Sequence, residues 1–130
     1  MRYMIIVKAT PESELETGPR PDDSAVLAEL ADYREQLRRA GVLLDGAGLK
    51  PSSQGWRICY EGGARKVVDG PFADTKALVA GYTLIQASSR EEAMEWARRF
   101  PNPSGRGRPA EIEVRPLYEQ ENFPSSPQVE

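Results

Sequence analysis

The stretch Arg2-Tyr3-Met4-Ile5-Ile6-Val7-Lys8 decides the fold. Side chains alternate across a strand, so Tyr3, Ile5 and Val7 point one way and Met4 and Ile6 the other. A strand that is apolar on both faces belongs in a sheet covered on both sides. The sequence that follows supplies one cover. Val26, Leu27, Leu30, Tyr33, Leu37 and Ala40 keep helical spacing behind Asp22 or Asp23 as N-cap, and Gly41 is a left-handed stop. Ser89 and Glu92 form the two ends of a capping box that starts a second helix. Its apolar stripe is Ala93, Trp96, Ala97 and Phe100, and Pro101 ends it.

The remaining elements read as strands and turns. Val42–Leu49 is a strand whose middle is softened by Gly46 and Gly48, a pair that permits a bulge or close packing. Pro51-Ser52-Ser53 turns the chain. Trp56–Glu61 and Arg65–Asp69 form a hairpin about Gly62-Gly63. One helical turn follows near Asp74 or Thr75, then a strand over Ala80–Ala87. Glu111–Pro116 sets Ile112 and Val114 against Glu111, Glu113 and Arg115. Residues 10–21 read as a solvated loop, 102–109 as a mobile Gly/Pro loop carrying Arg106 and Arg108, and 119–130 as a partly disordered tail. This order predicts an α+β fold: a ferredoxin-like antiparallel sheet, two helices on one face, and an extra β-hairpin. Two helices cover a single face, so a second copy is expected to cover the other, giving a homodimer with sheets face to face.

Composition excludes several chemistries. At 130 residues the chain fits one domain able to bury a core without disulfides. Hydrophobic residues at 39% and charged residues at 28% describe an ordinary globule. Seventeen basic and twenty acidic residues give a net charge of −3, and the acidic excess lies in 119–130. The body is neutral and lacks the basic field of a nucleic-acid binder. There is no histidine and one cysteine, Cys59. That removes Ser-His and Cys-His nucleophiles, the usual zinc and non-haem iron sites, and internal disulfides. No metal or cofactor is expected. The N-terminal apolar run is too short for a signal peptide, and no stretch approaches a membrane span. A reduced, cytoplasmic setting is the expectation.

Val67-Val68-Asp69-Gly70-Pro71-Phe72, continuing through Ala73-Asp74-Thr75-Lys76 to Gly81-Tyr82, resembles the DGPF group of the YCII-related family. Met1–Ile6, Ala40-Gly41-Val42-Leu43, Gly48-Leu49-Lys50-Pro51, Ser89–Pro101 with its Glu95-Trp96-Ala97, and Ile112–Pro116 agree with it over residues 1–118. The resemblance implies a dimeric α/β-barrel fold. In the YCII branch a His-Asp pair is the proposed catalytic centre, and one relative is a dehalogenase of a chlorinated muconolactone. Only the Asp half has a counterpart here, Asp69. The DGPF group is often linked to extracytoplasmic-function sigma factors, which implies a possible sigma-factor partner.

Candidate site residues follow. Asp69 precedes the stiff Gly70-Pro71-Phe72 turn. It either caps that turn by accepting from the N–H of Phe72 or Ala73, or acts as a general base made basic by burial at a cleft mouth. Arg115 can clamp a substrate carboxylate, with Glu113 beside it, or the two can pair with each other. Lys76 offers a positive charge near Asp69, and Tyr82, like Tyr3 and Tyr60, a phenolic donor. Cys59 reads as small packing material. Two function classes result. One is a cofactor-independent enzyme acting on a small anionic organic molecule with Asp69 as acid/base. The other is a non-catalytic ligand-binding or interaction dimer.

Overall fold

The computed structural model describes residues 1–15 and 23–120. The alternating residues form β1 (Arg2–Lys8), and the helical spacing forms α1 (Asp23–Arg39). Gly41, at φ 75°, ends the helix in the left-handed region. Then come β2 (Leu43–Gly48), β3 (Trp56–Glu61), β4 (Ala64–Asp69), β5 (Val79–Gln86), α2 (Arg90–Arg98) and β6 (Ile112–Pro116). Short 3₁₀ turns span Ser52–Gln54 and Thr75–Ala77. Four strands make one antiparallel sheet in the order β2-β5-β1-β6, which is ferredoxin-like, while β3 and β4 pair separately as the hairpin. The fold is α+β.

Both helices lie on the sheet face that carries Tyr3 and Ile5. There Tyr33 and Leu37 of α1 meet Ala93 of α2 and Ile85 of β5, with Trp96, Phe100, Ile112 and Val114 packed around them. Tyr33 ties the helices together. Its hydroxyl donates to the Trp96 carbonyl at 2.6 Å, and its ring meets Trp96 and Phe100 edge-on. At the start of α2, Ser89 Oγ accepts from the Glu92 N–H at 3.1 Å, as the capping box requires. The reciprocal half shifts by one residue: Glu92 accepts from the Ser88 N–H and hydroxyl at 2.8 and 2.5 Å.

Among the described residues no helix lies over the opposite face. Met4, Ile6 and Leu84 are half-buried there. Around them Glu113 pairs with Lys8 at 3.5 Å and Arg115 at 3.0 Å, and Tyr82 donates to Asp45 at 3.0 Å. No helix among the described residues is long and apolar enough to cross a membrane.

Within the 102–109 loop the Asn102 side chain donates to the Arg108 carbonyl at 3.0 Å and accepts from the Ser104 N–H at 2.9 Å. Arg106 also reaches Glu29 at 3.5 Å. Glu119, expected in the tail, is tied to the first strand, accepting from the Arg2 N–H at 3.0 Å and its guanidinium at 3.2 and 3.3 Å. Gly18, Pro19, Asp22 and the tail beyond residue 120 lie outside the described residues.

Burial pushes the Tyr33 hydroxyl up to about 12, partly offset by the Arg99 charge. The unfolded chain releases this proton near its ordinary value of 10.0, so the folded state holds the proton longer. The associated stability is complete below that value and is lost as pH climbs toward 12, by at most about 1.4 kcal/mol per pH unit. Tyr33→Phe is expected to cost about 1 kcal/mol at neutral pH and to flatten the alkaline decline, as urea unfolding across that range measures.

Candidate binding pocket and the Asp-Gly-Pro-Phe turn

Beneath α1 the large core side chains give way to small ones. Gly81 and the buried Thr83 occupy β5 there, and Gly46 and Gly48 occupy β2 beside them. Small residues on the sheet leave a cavity of about 200 Å³. Val26, Leu30 and Arg34, four residues apart, put one row of α1 into its wall, joined by Val7 and by Phe100-Pro101-Asn102-Pro103.

Arg34 is the cation in that wall. Its Nε is buried and has no hydrogen-bond partner. A Cβ on Gly46 would lie 3.6 Å from an Arg34 terminal nitrogen, so the guanidinium rests against β2 where no side chain projects. A buried donor left unsatisfied costs about 1–3 kcal/mol, and more on a charged group. An anion that reached it would remove that cost. The row Val26, Leu30, Arg34 was legible as an apolar series running into a cation, but the sequence reading took only the apolar members.

The candidates read from sequence are scattered. Asp69 ends β4 opposite Trp56 and is exposed, so the burial expected of a general base is absent. Lys76 is exposed in a 3₁₀ turn. Glu113 and Arg115 sit on the helix-free face, where hydrogen bonding from Arg115 and then the Lys8 charge hold the Glu113 carboxyl below its ordinary value. Tyr82 is the one candidate in the cavity wall, and its hydroxyl is engaged by Asp45, which pushes its proton release upward. Asp69, Lys76, Glu113 and Arg115 do not line the cavity. Among the described residues there is no cluster suited to a metal.

The Asp-Gly-Pro-Phe turn is architecture. The Phe72 N–H donates to Ser52 Oγ at 3.1 Å, so Ser52, and not Asp69, caps the turn. Ser52 in turn donates through its hydroxyl and, at 3.0 Å, its N–H to Glu14. The Gly70 N–H donates to the Gly55 carbonyl at 3.0 Å, the Gly70-Pro71 bond is cis, and the Arg57 guanidinium lies 3.8 Å over the Phe72 ring. A Cβ on Gly70 would fall 1.9 Å from the Ser52 carbonyl oxygen, a contact no side chain can make. Ser52 and Glu14 were missed because Ser52 reaches Phe72 across 20 residues of chain, and Glu14 reaches Ser52 across 38.

Residues 1–118 match the YCII-related domain. The chain belongs to the YCII-related family. An uncharacterized protein of Rhizobium meliloti (strain 1021) is 30% identical over 114 residues, covering 88% of this chain and 92% of that protein. Among solved structures, 5-chloro-2-hydroxyhydroquinone dehydrochlorinase (TftG) from Burkholderia phenoliruptrix AC1100, in complex with 2,5-dihydroxybenzoquinone, aligns at a TM-score of 0.46 and 16% identity, covering 93% of this chain and 97% of that one.

In this YCII-related chain Gly70→Ala is expected to lower stability by on the order of 2–3 kcal/mol, because backbone must move to admit one methyl group. Asp69→Asn, at an exposed position without a capping bond, is expected to change it by less than about 0.5 kcal/mol. Paired urea unfolding curves measure both.

Proposed function

We propose that this YCII-related chain is a homodimeric module that holds a small anionic organic molecule in the cavity under α1. The observation that carries the reading is Arg34, a cationic group with a buried, unpartnered Nε in an otherwise largely apolar wall. Binding is favoured over acid/base chemistry because the described wall contains no carboxylate, cysteine or lysine, and Asp69 stands outside it.

The second copy covers the face bearing Met4, Ile6 and Leu84. The charges around that patch carry both signs, Lys8 and Arg115 against Glu113 and Asp45, so the surface suits its own two-fold image. On the hairpin, Trp56, Ile58, Tyr60 and Val67 share one face and stay 45 to 67% exposed. Contiguous apolar surface of this kind marks an interaction site.

Sedimentation at micromolar concentration is expected to give the mass of two chains, and Ile6→Lys to give a folded single chain. A folded wild-type single chain would refute the dimer. For the site, methyl NMR with small anionic organic compounds is expected to show saturable shifts at Val7, Val26 and Leu30, lost in the cavity-filling variant Val26→Trp. Shifts centred on Asp69 and Arg115 instead would refute the cavity as the site.

A further inference from the structure

Resting on the cavity reading above, we infer that the ligand is a small monocarboxylate with an apolar body about the size of one six-membered ring, its carboxylate held by Arg34. Size sets the first limit. A dry apolar cavity of about 150 Å³ accepts benzene, so 200 Å³ takes one ring and a small head group but not a nucleotide or a disaccharide. Charge sets the second. Arg34 is the sole cationic residue in the described wall, and Arg106 on the neighbouring loop is already paired with Glu29. A phosphate monoester or dicarboxylate would leave its second charge in apolar surroundings without a partner, which is costly.

Head-group shape is the third limit. A guanidinium is a planar fork of donors that matches the two oxygens of a carboxylate. The body follows from which polar groups are already occupied. Tyr82 gives its hydroxyl to Asp45, and the Asn102 amide is spent at both ends on its own loop. With those two engaged, Thr83 adds a single hydroxyl while Val26, Leu30 and Phe100 present hydrocarbon, so a ligand bearing many hydroxyls would lose hydrogen bonds on entering.

Titration calorimetry with NMR readout on the full chain tests this, using benzoate, neutral benzyl alcohol and dianionic phthalate as probes. Benzoate is expected to bind at least about tenfold more tightly than either of the others. Arg34→Met is expected to abolish that preference while benzyl alcohol still enters, and Arg34→Lys, which keeps the charge but not the fork, to retain only part of it. Arg115→Gln is expected to leave benzoate binding unchanged. Benzyl alcohol binding as well as benzoate to the wild type, or either Arg34 variant keeping the full preference, would overturn the monocarboxylate assignment while leaving the cavity reading intact. Failure of all three probes to perturb Val26 and Leu30 would overturn both.

Discussion

A four-stranded sheet has two faces, and the described residues of this chain supply helices for one of them. That constraint organises the molecule. β1 runs through the middle of the sheet, so its side chains reach both faces without interruption. On the helix side, Tyr3 and Ile5 meet Tyr33 and Leu37, and the Tyr33 hydroxyl on the Trp96 carbonyl fixes one helix to the other. On the bare side Met4, Ile6 and Leu84 form an apolar centre ringed by charges of both signs. A hairpin with its own apolar face is anchored to the body through the Asp-Gly-Pro-Phe turn, where Ser52 and Glu14 satisfy the backbone.

The same helix layer produces the cavity. A helix packs on a sheet without voids where large side chains fill the space between them, as Ile85 and Leu37 do. Where β5 carries Gly81 and Thr83 and β2 carries Gly46, the helix spans a gap. Evolution of a purely structural core would fill such a gap with hydrocarbon, since each void forfeits packing energy. An arginine whose buried Nε has no hydrogen-bond partner lines its wall instead. A buried donor so placed is costly while unsatisfied, and an anion that met it would remove that cost, which is what favours the cavity as the proposed site.

Much of the fold was legible because it rests on local rules. Period-two alternation marked the strands, the spacing from Val26 to Leu37 marked α1, Ser89 and Glu92 marked the start of α2, and Gly62-Gly63, both at positive φ, marked the hairpin turn. The site was less legible because it is built from contacts distant in sequence. Arg34 sits between Tyr33 and Leu37 and reads as an ordinary solvent-facing helix residue until Gly46 is brought beneath it. Asp69 drew attention as a carboxylate beside a stiff turn, yet the turn satisfies itself through Ser52 and leaves Asp69 in water. Glu113 and Arg115 were placed correctly on one strand face, where they neutralise each other. The Gly/Pro composition of 102–109 gave no sign of the two hydrogen bonds that the Asn102 side chain makes across that loop.

The most direct test of the cavity under α1 as the binding site is a crystal structure of the chain soaked in benzoate. The expected result is a carboxylate within hydrogen-bond reach of Arg34 Nε, with the ring between Val26, Leu30 and Phe100. An empty cavity, with benzoate found instead on Arg115 or Lys76, would contradict it.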